Sequence, residues 1–164
     1  MAEPLAAGDP VKDFALTSLD GSACDSISAR KDGLLLFVFW KRTCGTCQYA
    51  FPYLQRFQVF YGGPGFRIWG IAQESEDDVR DFIRQYGATF TQLLDEDLTV
   101  TEQYDLDGVP ALYLVDDSDR ILRSVSGFST EAFNEYAQIV ADRTGKPYTP
   151  IVRPEDNAPP FKPG

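Results

Sequence analysis

The chain has 164 residues, 43% of them hydrophobic and 13% aromatic, with a net charge of −10. That composition implies a folded domain with a sizeable core, and so acidic a chain is excluded as a phosphate-tracking nucleic-acid binder and disfavoured on an anionic membrane. Histidine is absent and cysteine occurs only at positions 24, 44 and 47, which removes Cys–His nucleophiles, Ser–His–Asp triads, His-held haem and mixed Cys/His zinc sites.

No apolar run approaches the ~20 residues of a membrane helix, so no membrane insertion is expected. The opening MAEPLAAGDP has no basic stretch and no apolar core. It is not expected to be a signal peptide, although a chain whose signal had been removed would look the same. The next segment, through Gly33, reads as short extended pieces joined by turns, with a hairpin at Leu19-Asp20-Gly21-Ser22. LLLFVFW, Leu34–Trp40, is a continuous apolar run that suits a strand buried on both faces.

After Cys44 the period becomes helical, with Cys47, Phe51, Leu54 and Phe57 or Gln58 recurring at three- and four-residue steps and Pro52 expected to kink the helix. Gly62-Gly63-Pro64-Gly65 ends that helix, and Phe66–Ala72 is the next strand. Ser75 precedes Glu76, Asp77 and Asp78, an N-cap with acids in the first turn, before a helix on Val79, Phe82, Ile83 and Tyr86 that stops at Gly87. A short strand near Phe90–Leu94 and a short helix through Val100 and Tyr104 follow. ALYLVDD and RILRSVS form a hairpin about Asp117-Ser118-Asp119, and Ser129 caps a last helix that stops at Gly145.

This order predicts an α/β fold: a central mixed sheet flanked by helices, with an N-terminal hairpin, as one domain over 1–145. Residues 146–164 carry six prolines and are expected to be an extended arm, either mobile or laid along the surface.

The chemistry centres on KRTCGTC. Cys44 falls at a helix N-terminus, where unpaired N–H groups and the helix dipole favour an anion such as a thiolate. Lys41 and Arg42 could add to that field. Cys47, one turn on, shares the helix face and is within disulfide range. Cys44 at the rim and Cys47 pointing inward suggest attacker and resolver. Two other readings compete. A zinc site needs four ligands, and only Cys24 is left to join the pair. A purely structural disulfide over so short a loop would stabilise little. No metal or other cofactor is expected. Cys24 itself reads as a small apolar residue on a strand.

FWKRTCGTC after LLLFV resembles the active-site strand and turn of the thioredoxin superfamily, and DGVPALYLVDDSDRIL resembles its cis-proline segment before a hairpin. From residue 8 to 145 the chain is similar to the TlpA-like and redoxin branch, related to the AhpC/TSA peroxiredoxins. The resemblance implies a thioredoxin-like fold and a cis Val109-Pro110 bond lying against the thiols. It implies that Cys44 is the nucleophile and Cys47 the resolving thiol. It also implies a substrate groove formed by Trp40, Gly45, Thr46, Val109 and Pro110, with the Val109 backbone free to pair with an extended peptide. The partner would be a protein disulfide or dithiol, the chain a monomer, and the compartment the extracytoplasmic side of a bacterial membrane.

The chain departs from the pattern at Thr43, where an aromatic is usual, and at Thr46, where a proline is usual. At Val38 thioredoxins carry a buried acid, which leaves Glu74, after the neighbouring strand, as a candidate for approaching the site. A peroxiredoxin-like peroxidase is the alternative, but it needs a threonine three and a proline seven residues before its cysteine. Those positions hold Lys41 and Phe37 for Cys44, and Cys44 and Trp40 for Cys47. A redox-inert binding module of the same fold is the reading from another class.

Overall fold

The computed structural model describes residues 4–164. Strand β3 (Leu34–Trp40) is buried at every position and lies at the heart of a seven-stranded mixed sheet. It runs parallel to β4 (Phe66–Ala72) and antiparallel to β6 (Ala111–Val115). Beyond β4 come β5 (Thr91–Leu94), then the hairpin of β1 (Ala15–Ser18) and β2 (Ala23–Asp25); beyond β6 comes β7 (Arg123–Ser126). The sheet order is β2-β1-β5-β4-β3-β6-β7.

Because successive side chains of a strand point to opposite faces, the aromatic run of β3 supplies both layers of the core. Phe37 and Phe39 pack on one face against Tyr104 and Tyr113, with Phe37 also meeting Phe14. Trp40 packs on the other against Phe51 and Phe82, with ring centroids 4.9 and 4.4 Å away. Burying each such side chain stabilises the fold by about 1.5–3 kcal/mol. Of these partners, Phe51 comes from α2 (Gly45–Tyr61), Phe82 from α3 (Glu76–Tyr86) and Tyr104 from α4 (Thr99–Tyr104), while α5 (Thr130–Thr144) packs on α2. Ser75 and Ser129 cap α3 and α5 through their hydroxyls, and Gly87 and Gly145 close them in the left-handed conformation.

One element departs from expectation. Ser26–Asp32 is a helix, α1, not an extended piece. Asp25 caps it by accepting from Ile27 N at 2.8 Å, and Arg30 and Lys31 in its last turn suit the dipole. The α2 helix runs on through Pro52, whose ring is exposed.

The proline-rich segment is laid along the surface and held there. Ile151 and Val152 are buried, and Asn134 of α5 bonds both the N–H and the carbonyl of Val152. A 3-10 turn at Pro154–Asp156 follows, and β9 (Phe161–Lys162) pairs antiparallel with β8 (Phe128–Ser129).

Arg56 of α2 grips this segment. Its guanidinium donates to both carboxyl oxygens of Asp156 at 2.6 and 3.0 Å and to the Ile151 carbonyl at 2.8 Å. That pairing, with the Arg153 N–H, holds the Asp156 carboxyl down to about 2 from an ordinary 3.8. A carboxyl lowered on folding stabilises the folded state above its ordinary value, and the contribution fades as pH falls toward the lowered one. The anchor is therefore expected to hold at neutral pH and to weaken between about pH 4 and pH 2. Following the Asp156 carboxyl carbon by NMR checks this: Arg56→Gln should raise its midpoint toward 3.8. An unmoved midpoint would assign the effect to the Arg153 N–H alone.

Candidate active site

The two thiols sit where β3 hands over to α2. Cys44 is the N-cap residue of α2, with extended backbone, and its Sγ accepts the Cys47 N–H at 3.1 Å. An amide aimed at the sulfur and the positive end of a helix both favour negative charge there. The approach to Cys44 is a tight turn: its N–H donates to the Lys41 carbonyl at 3.2 Å, and Gln48 Nε2 donates to the Arg42 carbonyl at 2.8 Å.

Cys44 is half-buried and Cys47 has no exposed surface. Burial pushes the Cys47 thiol well above its ordinary range; the hydrogen bond with Cys44 and the charge of Glu74 act in the same direction, and the Lys41 backbone N–H opposes them. The chain thus holds one accessible sulfur and one concealed, protonated sulfur in contact with it.

The Val109-Pro110 peptide bond is cis, and the Cys44 thiol donates to the Val109 carbonyl at 3.2 Å. A cleft of about 1040 Å³ opens at this point. Cys44, Gly45, Thr46 and Tyr49 form one side, and Leu98, Glu102, Leu106 and Val109 the other. Lys41 lines its mouth, whereas the Arg42 guanidinium turns to Asp78 of α3 at 3.6 Å. Of the two adjacent cations, then, Lys41 shares the cleft with Cys44.

Three expectations need correction here. Trp40 is not a groove residue: strand alternation turns it into the core, fully buried, with its indole N–H donating to the buried Gln92 Oε1 at 2.9 Å. Gln92 reaches that indole over Gly70, where a β-carbon would fall 2.7 Å from the Gln92 Cδ, so the close approach requires glycine. Pro110 is likewise buried, and Val109, which lines the cleft, stands in front of it. The Val109 backbone is also not open, since Gly164 lies against it: a β-carbon on Gly164 would sit 2.8 Å from the Val109 carbonyl carbon. No feature of the proline-rich sequence pointed to that placement.

Glu74 comes in from the end of β4. Its Oε1 accepts the Arg42 N–H at 3.0 Å, and its Oε2 is the one buried side-chain polar atom among the described residues with no hydrogen-bond partner. Cys24 is elsewhere, on β2, opposite Leu16 of β1. Three strands, β1, β5 and β4, lie between β2 and β3, four spacings or roughly 19 Å, so Cys24 cannot join the pair as a third metal ligand.

Adjacent thiols at a strand–helix junction, one accessible and one buried, facing a cis-proline loop on a mixed sheet, define a thioredoxin-like thiol–disulfide oxidoreductase. The family model described as Redoxin matches residues 6–140, and the chain belongs to that family. It is 26% identical over 140 residues to the thiol-disulfide oxidoreductase ResA of Bacillus subtilis, covering 84% of this chain and 78% of the relative. ResA of Halalkalibacterium halodurans is 27% identical over 130 residues, 79% of this chain and 73% of its own. The solved thioredoxin domain of a thiol-disulfide oxidoreductase from Bacteroides vulgatus superposes with a TM-score of 0.72 at 25% identity, covering 83% of this chain and 99% of that one.

Proposed function

We propose that this chain exchanges disulfides with a protein partner, with Cys44 as nucleophile and Cys47 as resolving thiol. The observation that carries the reading is the setting of Cys44 Sγ, half-exposed at the cleft between the Cys47 N–H and the Val109 carbonyl. The Cys44 thiolate attacks one sulfur of a substrate disulfide. That bond breaks, the departing sulfur leaves as a thiolate and takes a proton, and a mixed disulfide with Cys44 remains. Cys47 then gives up its proton and attacks the Cys44 sulfur, which expels the second substrate thiol. The substrate gains two electrons and two protons, and the chain is left with a Cys44–Cys47 disulfide.

Glu74, with a buried and unpartnered oxygen and a charge that acts on Cys47, is the acceptor for the second proton. Lys41 places a positive charge at the mouth of the same cleft. Both thiols and the cis-proline loop come from one chain, so a monomer suffices. Among the described residues no helix is long and apolar enough to cross a membrane. The resemblance to the TlpA-like branch favours the extracytoplasmic side of a bacterial membrane.

Mixing the reduced chain with excess hydroxyethyl disulfide tests the reading. One disulfide should be reduced per chain, mass mapping should find the new bond between Cys44 and Cys47, and Cys24 should stay open to alkylation. A bond that involves Cys24, or no reduction at all, would overturn it.

A further inference from the structure

Residues 161–164 lie across the active site, and their contacts are specific. The ladder between β9 and β8 pairs Phe161 with Ser129 and Lys162 with Phe128. Just before it, Thr130 of α5 donates its N–H to the Pro160 carbonyl and its hydroxyl to the Pro159 carbonyl, both at 3.0 Å. After it, the Thr46 hydroxyl, between the two cysteines, donates to the Pro163 carbonyl at 2.7 Å. The Lys162 ammonium lies 5.2 Å from the Tyr49 ring centroid, on the same cleft wall. Gly164 then meets the Val109 backbone so closely that any side chain on it would force a shift.

The position of this segment has a chemical meaning. The peptide groups next to the reactive sulfur are those an extended polypeptide would contact while its disulfide is presented to Cys44. Pro163 and Gly164 follow β9 directly, and they stand on that edge. A small disulfide needs only the half-exposed Cys44 sulfur, while a polypeptide needs the edge as well. Among the described residues the hold on Pro163 and Gly164 is slight: one side-chain hydrogen bond, from Thr46, and the packing of Gly164 against Val109, Gly108 and Gly127. An incoming backbone could replace both.

We propose that residues 161–164 form an internal strap that occupies the substrate backbone's place, so that polypeptide disulfides must displace it and small disulfides need not. This rests on the disulfide-exchange reading above. A site whose competent state is only part of the population binds more weakly by that fraction. Opening the strap therefore raises kcat/KM for polypeptides selectively.

Two variants of the full chain provide the test: Gly164→Ala, whose added methyl collides with Val109, and deletion of residues 161–164, which leaves the Arg56–Asp156 anchor in place. Each is assayed against a linear peptide whose single cysteine is capped by glutathione, and against hydroxyethyl disulfide. Both variants should raise kcat/KM for the peptide by about tenfold and leave the small disulfide unchanged. Unchanged or slower peptide turnover would overturn the strap and make the segment a bystander or a wall of the groove. Equal gains on both substrates would overturn it too, by placing the effect on Cys44 itself. An intact chain that fails to reduce hydroxyethyl disulfide would instead refute the exchange reading, an outcome distinct from a working enzyme indifferent to its strap.

Discussion

Cys44→Ser is expected to abolish disulfide exchange, and Cys47→Ser to stop it one step later as a stable covalent complex with the substrate. The asymmetry follows from where the sulfurs lie. Cys44 faces the cleft, while Cys47 has no exposed surface and is kept protonated by burial, by its hydrogen bond with Cys44 and by the charge of Glu74. A serine at 44 leaves no accessible nucleophile, because a hydroxyl does not ionise usefully and Cys47 cannot reach an external disulfide. A serine at 47 leaves the first attack intact and removes the second, so the mixed disulfide accumulates. Non-reducing electrophoresis with mass mapping reads both results. Equal trapping by the two variants would show that the roles are not divided. Limiting alkylation of the reduced wild-type chain should label Cys44 before Cys47 for the same reason.

Glu74→Gln sets two effects against each other, and the sign of the result decides between them. The carboxylate charge opposes ionisation of Cys47, so if Glu74 acted only as a field its removal would speed the resolving step. If its unpartnered Oε2 takes the Cys47 proton, removal should slow that step by about 10²-fold, the lower end of general acid–base contributions. We expect the slowing, with the first attack by Cys44 little changed. Resolution should also become steeper with pH in the variant, because solvent base must then take the proton. Single-turnover release of the second substrate thiol, followed against pH, separates the outcomes. Faster release would reduce Glu74 to a bystander charge.

Much of the frame was legible because its signals are local. The apolar run Leu34–Trp40 and the strand Phe66–Ala72 have the bounds the sequence suggests. The serine caps and terminal glycines of α3 and α5 did their work as their positions imply. The α1 helix was missed because it is seven residues long, and its cap, Asp25, also ends a strand. Trp40 was misassigned for lack of the strand's facing, which only its partner Gln92, 52 residues on, makes plain. Glu74 could be named as a candidate from its place after the neighbouring strand, but the pairing of its Oε1 with the Arg42 N–H and the burial of its Oε2 could not be read from the sequence. The arm offered only prolines and two apolar residues, Ile151 and Val152, as a hint that it docks. Where its last residues lie is set by contacts to Thr46, Phe128 and Val109, none of them near it in the chain.

The grip of Arg56 on Asp156 has a consequence for how the cleft opens and shuts. Only residues 157–160 separate that anchor from Phe161, and two of the four are proline. A strap lifted from Val109 therefore does not diffuse away. It stays on a short leash tied to Arg56 of α2, the helix that follows Cys44 and carries Cys47, so its return is an intramolecular event. Short tethers of this kind hold a segment at an effective concentration of about millimolar. An incoming polypeptide competes with a ligand that is always present at that concentration, whatever the dilution of the protein. The leash thus sets a floor on the affinity a partner must bring, and it closes the site again as soon as the partner departs.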